Sequence, residues 1–269
     1  MPKIRFDQSW SIDKMIDSNT KWRLIELEAN DAFMNMAIDE AISHAVAKGL
    51  SLPTIRFYTW KPSAVSIGCF QGMNDEINVA RCRELGVDFI RRRTGGGAVY
   101  HDEKGEITYS VIAPEKIMPK GITESYHLIC GWIVDSLKRM GIDSEFKPIN
   151  DVVVSGNGKK ISGNAQTRRD GVLLQHGTIL FDVDIDKMFS LLKVGQEKIA
   201  DKMIADVKQR VTSVRQCCEA SKMELYEALT EGFTEGKEYE IGKLSQEEMI
   251  EASMLVETRY IQDDWNFMR

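Results

Sequence analysis

The chain has 269 residues, enough to bury a sizeable core, and its 43% hydrophobic and 28% charged residues are ordinary for a globular protein. Its formal net charge of -6 and sequence pI near 5.4 argue against a broad basic surface for nucleic acid, while a local basic pocket stays open. The opening MPKIRFDQSWSIDK lacks the apolar stretch of a secretory signal, and no later run reaches the roughly 18 to 20 apolar residues that span a bilayer, so the cytoplasm is the default address and neither membrane nor nucleic acid is an expected partner.

After a polar leader over residues 1–21, Trp22 to Leu27 reads as a short strand, and Asp31 offers a cap to a helix with Phe33, Ala37, Ala41 and Ala45 at intervals of four, stopped by Gly49. Thr54 to Trp60 and Ala64 to Phe70 read as strands that would pair across the short Lys61-Pro62-Ser63 connection. A short helix over Ile77 to Leu85 precedes a strand, Asp88 to Arg92, that feeds a glycine run. Ile107 to Ile112 is a strand stopped by Pro114. Tyr126, Ile129, Ile133 and Leu137 make the apolar stripe of a helix between Thr123 and Met140.

The clearest sheet signal lies in the middle of the chain. Asp151 to Val154 leads through Asn157-Gly158, a favoured hairpin turn, into Lys160 to Gln166. Arg169-Asp170-Gly171 then turns the chain into Val172 to Asp182, so three neighbouring antiparallel strands are expected. Helical patterns follow at Asp186 to Leu192, Gln216 to Phe233 and Ser245 to Glu257. The order favours an α+β domain over a doubly wound sheet. The five cysteines, Cys69, Cys82, Cys130, Cys217 and Cys218, match no zinc spacing and read as free thiols.

Two stretches carry residues suited to chemistry. In RRRTGGGAVYHD, from Arg91 to Asp102, three glycines let a ligand approach the main chain, and the arginines before them suit a phosphate or carboxylate; a flexible turn with solvated arginines is the plain alternative. Neither GxGxxG nor GxxxxGK[ST] occurs, so any nucleotide would need another cradle. In the stretch from Ile149 to Gly177, Lys160 begins a strand among the small residues Ser162, Gly163 and Ala165, and could direct its charge at a carboxylate, its acyl-phosphate anhydride, or the oxygen charge that develops when an amine attacks; a solvent-facing hairpin lysine is the alternative. Asn150 and Asp151 form a polar pair in which Asp151 could hold Mg²⁺ or simply cap an element, and His176 could line an acyl pocket or pack as an ordinary polar residue. His101 has Asp102 as its neighbour, without evidence of a relay. Cys69 and Cys130 lack a base partner visible in the sequence, and the absence of GxSxG removes the simplest serine acyltransferase.

Taken in order, FMNMAIDEA, PTIRFYTWKPSAVSIGCFQ, RRRTGGGAVYHD, NDVVV, KKISGNAQTRR, HGTILFD and DDWN resemble the lipoate-protein ligase A family and its relatives, the octanoyl transferases and biotin ligases, over roughly Trp22 to Trp265. The resemblance implies a biotin/lipoate protein ligase-like α+β core, a curved mixed sheet flanked by helices. It would fill residues 22–269 as one catalytic domain with no fused accessory domain. It implies an ATP-dependent lipoate-protein ligase that forms lipoyl-AMP and passes the lipoyl group to a lysine. The expected acceptors are lipoyl domains of 2-oxoacid dehydrogenase E2 subunits and the glycine-cleavage H protein, with a possible separate accessory subunit. ATP and Mg²⁺ would be reaction components, lipoate the substrate, and no cofactor would be tightly held. Lys160 would be the catalytic lysine; Arg92, Gly95, Gly96, Gly97, Tyr100, His101, Asn150, Asp151, Gly163, Ala165 and His176 would surround the acyl-adenylate, with Asp151 as the Mg²⁺ ligand.

Two departures qualify that picture. After His101-Asp102, the segment from Glu103 to Glu106 is one residue longer than the ligase pattern and closer to some octanoyl transferases. Those transferases use a cysteine, yet neither the loop before Lys160 nor the later position near Val194 has one here, which favours adenylate chemistry. The alternatives are octanoyl or lipoyl transfer without ATP, a biotin ligase, and a non-catalytic acyl-binding or assembly protein.

Overall fold

The computed structural model describes residues 20–193 and 209–269. Eleven strands among them form two sheets. In the larger, β1 (Lys21–Asn30), β2 (Thr54–Trp60), β6 (Glu106–Pro114), β7 (Ser144–Lys147), β8 (Asp151–Val154), β9 (Lys160–Arg169), β10 (Val172–Leu180) and β11 (Glu238–Ile241) run in the order β11-β1-β2-β6-β10-β9-β8-β7. The smaller has the order β4-β3-β5, from β3 (Ala64–Ile67), β4 (Asp88–Arg91) and β5 (Val99–His101). The large sheet is mixed: β11, β1 and β2 are parallel neighbours, and the rest pair antiparallel. With helices on both faces, this is the biotin/lipoate ligase-like α+β fold.

Strand alternation builds the two cores. Ile55 and Phe57 on β2, Tyr109 and Val111 on β6 and Leu173 on β10 face one way, against α2 (Ile122–Arg139) and α4 (Lys222–Thr234). Tyr126, Ile129, Ile133 and Leu137 of α2 are all buried there, as their spacing requires. On the opposite face, Tyr58, Trp60, Ile112 and Leu174 meet α1 (Ala32–Ala47), itself covered by α5 (Gln246–Leu255). Helix α1 is therefore buried well beyond the stripe of four, with Met36, Ile38 and Ile42 inside and Phe33 and Ala45 only half-buried. Asp31 caps it by accepting from the Met34 amide at 2.7 Å. A short helix, α3 (Ile185–Leu191), packs its Leu191 against the small sheet.

The expected central meander is present: β8, β9 and β10 are antiparallel neighbours. Asp170 and Gly171 both take positive φ, 53° and 74°, matching a two-residue hairpin turn. Other expectations require correction. β2 and β3 do not pair, because both edges of β2 are taken by β1 and β6, and the chain after Pro62 enters the second sheet. The helix expected over Ile77 to Leu85 is present but starts later, at Val79–Glu84, because Asn78 caps it, and a separate single turn, Met73–Glu76, precedes it. The helix expected from Gln216 is divided by Ser221, whose hydroxyl and Glu224 form a capping box that starts α4. Residues 1–19 of the expected leader lie outside the described residues.

Candidate active site

The three consecutive arginines beside the glycine run all turn inward. Arg91, with no solvent exposure, donates to the carbonyls of Gly68, Cys69, Gln71, Trp265 and Asn266, tying the C-terminal turn Asp263–Asn266 to the loop after β3. Arg92 donates from Nε to Thr94 Oγ1, from Nη1 to the carbonyl and hydroxyl of Ser66, and from Nη2 to the carbonyls of Gly95 and Gly97, all at 2.8–3.2 Å. Five N–H groups meet five acceptors, so this fork shapes the glycine loop. Burial pulls its pKa down to about 10. Arg93 pairs with the buried Glu40 at 3.1 Å. The loop presses against β3: a Cβ on Gly68 would lie 2.1 Å from the Gly96 carbonyl oxygen, and Gly96 itself has φ +97°. Only glycine allows that approach.

Lys160 reaches its place through an irregularity in β9. The register against β8 shifts between Val152 and Val153, adding one residue to β9, so side chains three apart, Lys160 and Gly163, share a face. The lysine lies across the glycine, where a Cβ would stand 2.7 Å from Cε and 2.8 Å from Nζ. Its ammonium is 2.7 Å from Asp151 Oδ1. Below it, Asn150 Nδ2 donates to the Asn164 carbonyl at 2.6 Å while Asn164 Nδ2 returns a bond to the Asn150 carbonyl at 2.9 Å. Gly177 leaves room for this clasp, since a Cβ there would sit 1.9 Å from Asn164 Oδ1.

Even-numbered residues of β2, β6 and β10 point toward α1, and in register they place Arg56 beside Ser110 and Ser110 beside His176. Asp39 of α1 descends onto this row, 2.9 Å from Arg56 Nη1, accepting from Ser110 Oγ at 2.6 Å and facing His176 Nδ1 at 3.4 Å. Burial pushes the Asp39 carboxyl up, but His176, Arg56 and Ser110 outweigh it and hold it below the ordinary range. Burial also holds His176 below the usual histidine value, against the pull of Asp39. The other ring nitrogen of His176 meets Thr94 Oγ1 at 2.7 Å.

His101 stands on a second line, with Nε2 at 2.8 Å from Ser66 Oγ and Nδ1 at 2.7 Å from Glu106 Oε1. Trp60 stacks on the ring at 3.9 Å and 16°. Asp102, its chain neighbour, instead accepts from the Tyr100 hydroxyl at 3.2 Å and from the amides of Lys104 and Gly105.

These groups converge on a cavity of about 390 Å³. Its wall includes Ser66, Arg92, Gly96, Gly97, Tyr100, His101, Asn150, Lys160, Gly163, Ala165 and His176, together with Ile185, Met188 and Phe189 of α3. Of the expected site residues, Gly95 and Asp151 are not on that wall; the first accepts from Arg92 and the second faces Lys160. Asp39, Ser66 and Glu106 were not legible as site residues. No cysteine is among the described residues lining the cavity; Cys69, Cys82 and Cys130 are buried elsewhere, and burial pushes Cys82 up to about 11. The position near Val194 lies outside the described residues.

Comparison with known proteins adds the family context. Residues 31–234 match the model of the lipoyl protein ligase A/B catalytic domain. The chain is 38% identical to the octanoyltransferase LipM of Brevibacillus brevis, over 93% of this chain and 99% of that protein. It is 37% identical to the octanoyltransferase LipM of Kyrpidia tusciae, over 92% and 99% respectively. Among solved structures, a chain from the archaeal lipoylation system of Thermoplasma acidophilum, described as a bi-partite lipoate protein ligase and its E2 lipoyl domain, superposes with a TM-score of 0.84 at 32% identity, covering 92% of this chain and 96% of that one.

The near-complete match to octanoyltransferases corrects the expectation of an ATP-dependent lipoate-protein ligase with ATP and Mg²⁺ as reaction components. The geometry agrees with the correction. Arg92 has spent its donors on the loop, and Asp151, the expected Mg²⁺ ligand, is paired with Lys160.

Proposed function

We propose, on the premise that the chain belongs to the lipoyl protein ligase A/B catalytic-domain family, that it transfers an octanoyl or lipoyl group, without ATP, from a carrier thioester to a lysine of an acceptor protein. One observation carries the reading: Lys160, held over Gly163, stands on the wall of a cavity that is apolar along α3. An acyl chain lies against Ile185, Met188 and Phe189, and its carbonyl comes within reach of the ammonium. As the acceptor amine attacks, charge develops on the carbonyl oxygen, and Lys160 stabilises it without rearranging. Asn150 and Asn164 keep β8 and β9 clasped beneath that lysine, and the glycine loop holds the opposite wall.

The acceptors in this reading are E2 lipoyl domains and the glycine-cleavage H protein, which present a lysine on a tight turn, and the reaction takes place in the cytoplasm. Among the described residues no helix is long and apolar enough to cross a membrane. The reading is tested by intact mass of a purified lipoyl domain after incubation with this protein and an octanoyl-carrier thioester in the absence of ATP. The domain gains one octanoyl group, and Lys160→Ala slows the gain about 10²- to 10³-fold. An acceptor acylated only from free acid with ATP would overturn the proposal.

A further inference from the structure

The transfer proposed above takes place in a cavity whose described lining holds no thiol, yet a hydroxyl on that lining sits in the arrangement of an activated nucleophile. Ser66 Oγ is 2.8 Å from His101 Nε2, and His101 Nδ1 is 2.7 Å from Glu106 Oε1. Nucleophile, base and orienting carboxylate are thus in hydrogen-bond reach in sequence.

The proton positions follow from the surrounding partners. Glu106, buried, accepts from the Thr108 hydroxyl at 2.9 Å, and Thr108 in turn accepts from Trp60 Nε1 at 2.8 Å. With Oε1 already accepting from Thr108, His101 Nδ1 directs its hydrogen at Glu106 and Nε2 is left as the acceptor. Arg92 Nη1 donates to Ser66 Oγ at 3.1 Å, which leaves the serine hydrogen directed at His101. Trp60, stacked on the imidazole, fixes the ring plane. The parallel line from Asp39 through His176 ends on Thr94, which is fully buried and not on the cavity wall, so it serves the frame rather than a substrate.

We propose that Ser66 is the acyl-carrying nucleophile of this enzyme, with His101 as its general base and Glu106 as the residue that positions His101. The inference rests on the transfer reading. In the first half, Ser66 Oγ bonds to the thioester carbonyl carbon while its proton passes to His101 Nε2. The C–S bond breaks, and the carrier thiol leaves with that proton. In the second half, the neutral amine of the acceptor lysine bonds to the ester carbon, the C–O bond breaks, and the amine proton returns through His101 to Ser66 Oγ. No oxidant or reductant is needed, and the products are an amide and the free enzyme. Arg92, donating to Ser66 Oγ, favours its oxygen as leaving group in that second half.

The experiment incubates the full chain with an octanoyl-carrier thioester and no acceptor, quenches in acid, and maps the adduct by mass spectrometry; transfer to a lipoyl domain is timed in parallel. The expected adduct is one octanoyl group on the peptide holding Ser66, stable to neutral hydroxylamine as an oxygen ester is. Ser66→Ala loses the adduct and slows transfer about 10²- to 10⁴-fold, while its melting temperature falls only by the few degrees that one lost buried hydrogen-bond partner implies. Ser66→Cys restores transfer, and its adduct becomes labile to hydroxylamine. Glu106→Gln moves the pH profile of transfer, and Glu106→Asp recovers part of the rate. Wild-type transfer rates in Ser66→Ala, or an adduct on a cysteine of the wild type, would overturn the proposal and leave the transfer reading standing. A Ser66 adduct that never reaches the lipoyl domain would uphold Ser66 and count against the acceptor. Neither adduct nor transfer would defeat both.

Discussion

Gly163→Ala separates the posture of Lys160 from the stability of the fold. The added methyl would stand 2.7 Å from Lys160 Cε and 2.8 Å from Nζ, closer than carbon atoms approach, so something must shift. The obstacle is the far end of a side chain about 39% exposed, which swings away at little cost. What the fold loses is the contact with Asp151, a half-exposed ion pair of about 0.2–1 kcal/mol, partly offset because alanine orders more readily than glycine in a strand. The melting temperature should therefore move by no more than about 2 °C. Transfer should suffer far more, because displacing a charge by about 1 Å from a developing oxyanion costs on the order of 10²-fold. The assay pairs thermal melts with timed octanoylation of a lipoyl domain, in the wild type, Gly163→Ala, Lys160→Ala and the double variant. On a Lys160→Ala background the glycine change should cost almost nothing, since both act through one ammonium. Full activity in Gly163→Ala, or equal losses from Gly163→Ala in the presence and absence of Lys160, would refute this account.

Gly68→Ala should behave in the opposite way: its Cβ would meet a backbone oxygen, Gly96 O at 2.1 Å, so loop and strand must part, and melting and transfer both fall. Arg91→Ala removes a buried guanidinium from five carbonyls and should cost at least about 3 kcal/mol in denaturant titrations; hydrogen exchange should quicken together in residues 68–71 and 263–267. Asp39→Asn leaves the buried Arg56 without its counter-charge and should cost about 3–5 kcal/mol. The acid limb of stability has a defined sign. His176 is held below its unfolded value, so stability falls as pH drops below about 6.5, and Asp39, also held below its own, contributes stability that is lost only as pH falls beneath about 3.9. His176→Gln should flatten the first of these two limbs and leave the second, as read by urea midpoints against pH.

The parts of the fold legible in the sequence are those set by local chemistry. Asp31 as a cap and Asp170-Gly171 as a turn act within a few residues, and the α2 stripe needs only its own period. β11 escaped notice because all four of its residues are exposed, and its pairing depends on β1, more than 200 residues earlier. The site divides in the same way. The small residues around Lys160 were visible, but the bulge that brings Gly163 beneath it belongs to the pairing with β8. His101 has Asp102 beside it in the chain, yet Asp102 caps the turn over residues 103–105 by accepting from the amides of Lys104 and Gly105, and that turn brings Glu106, five positions on, to the His101 ring. Ser66 meets His101 across 35 positions, and Asp39 meets His176 across 137, distances at which no local pattern can speak.

The arginine run shows how a pattern suited to one chemistry can be spent on another. A triphosphate needs cationic donors that are free when it arrives. Among the described residues on the cavity wall the cationic side chains are Arg92 and Lys160. The first has each N–H committed to Ser66, Thr94, Gly95 or Gly97, and releasing any of them would undo the glycine loop that forms the wall. The second is balanced by Asp151 at 2.7 Å, so the pair as a whole brings no net charge to a ligand. Such a pair suits a carbonyl instead: neutral on arrival, it draws on the ammonium only as its oxygen becomes anionic, when the half-exposed lysine can share itself between Asp151 and the new charge. A thioester brings a carbonyl of that kind, already activated when it reaches the site.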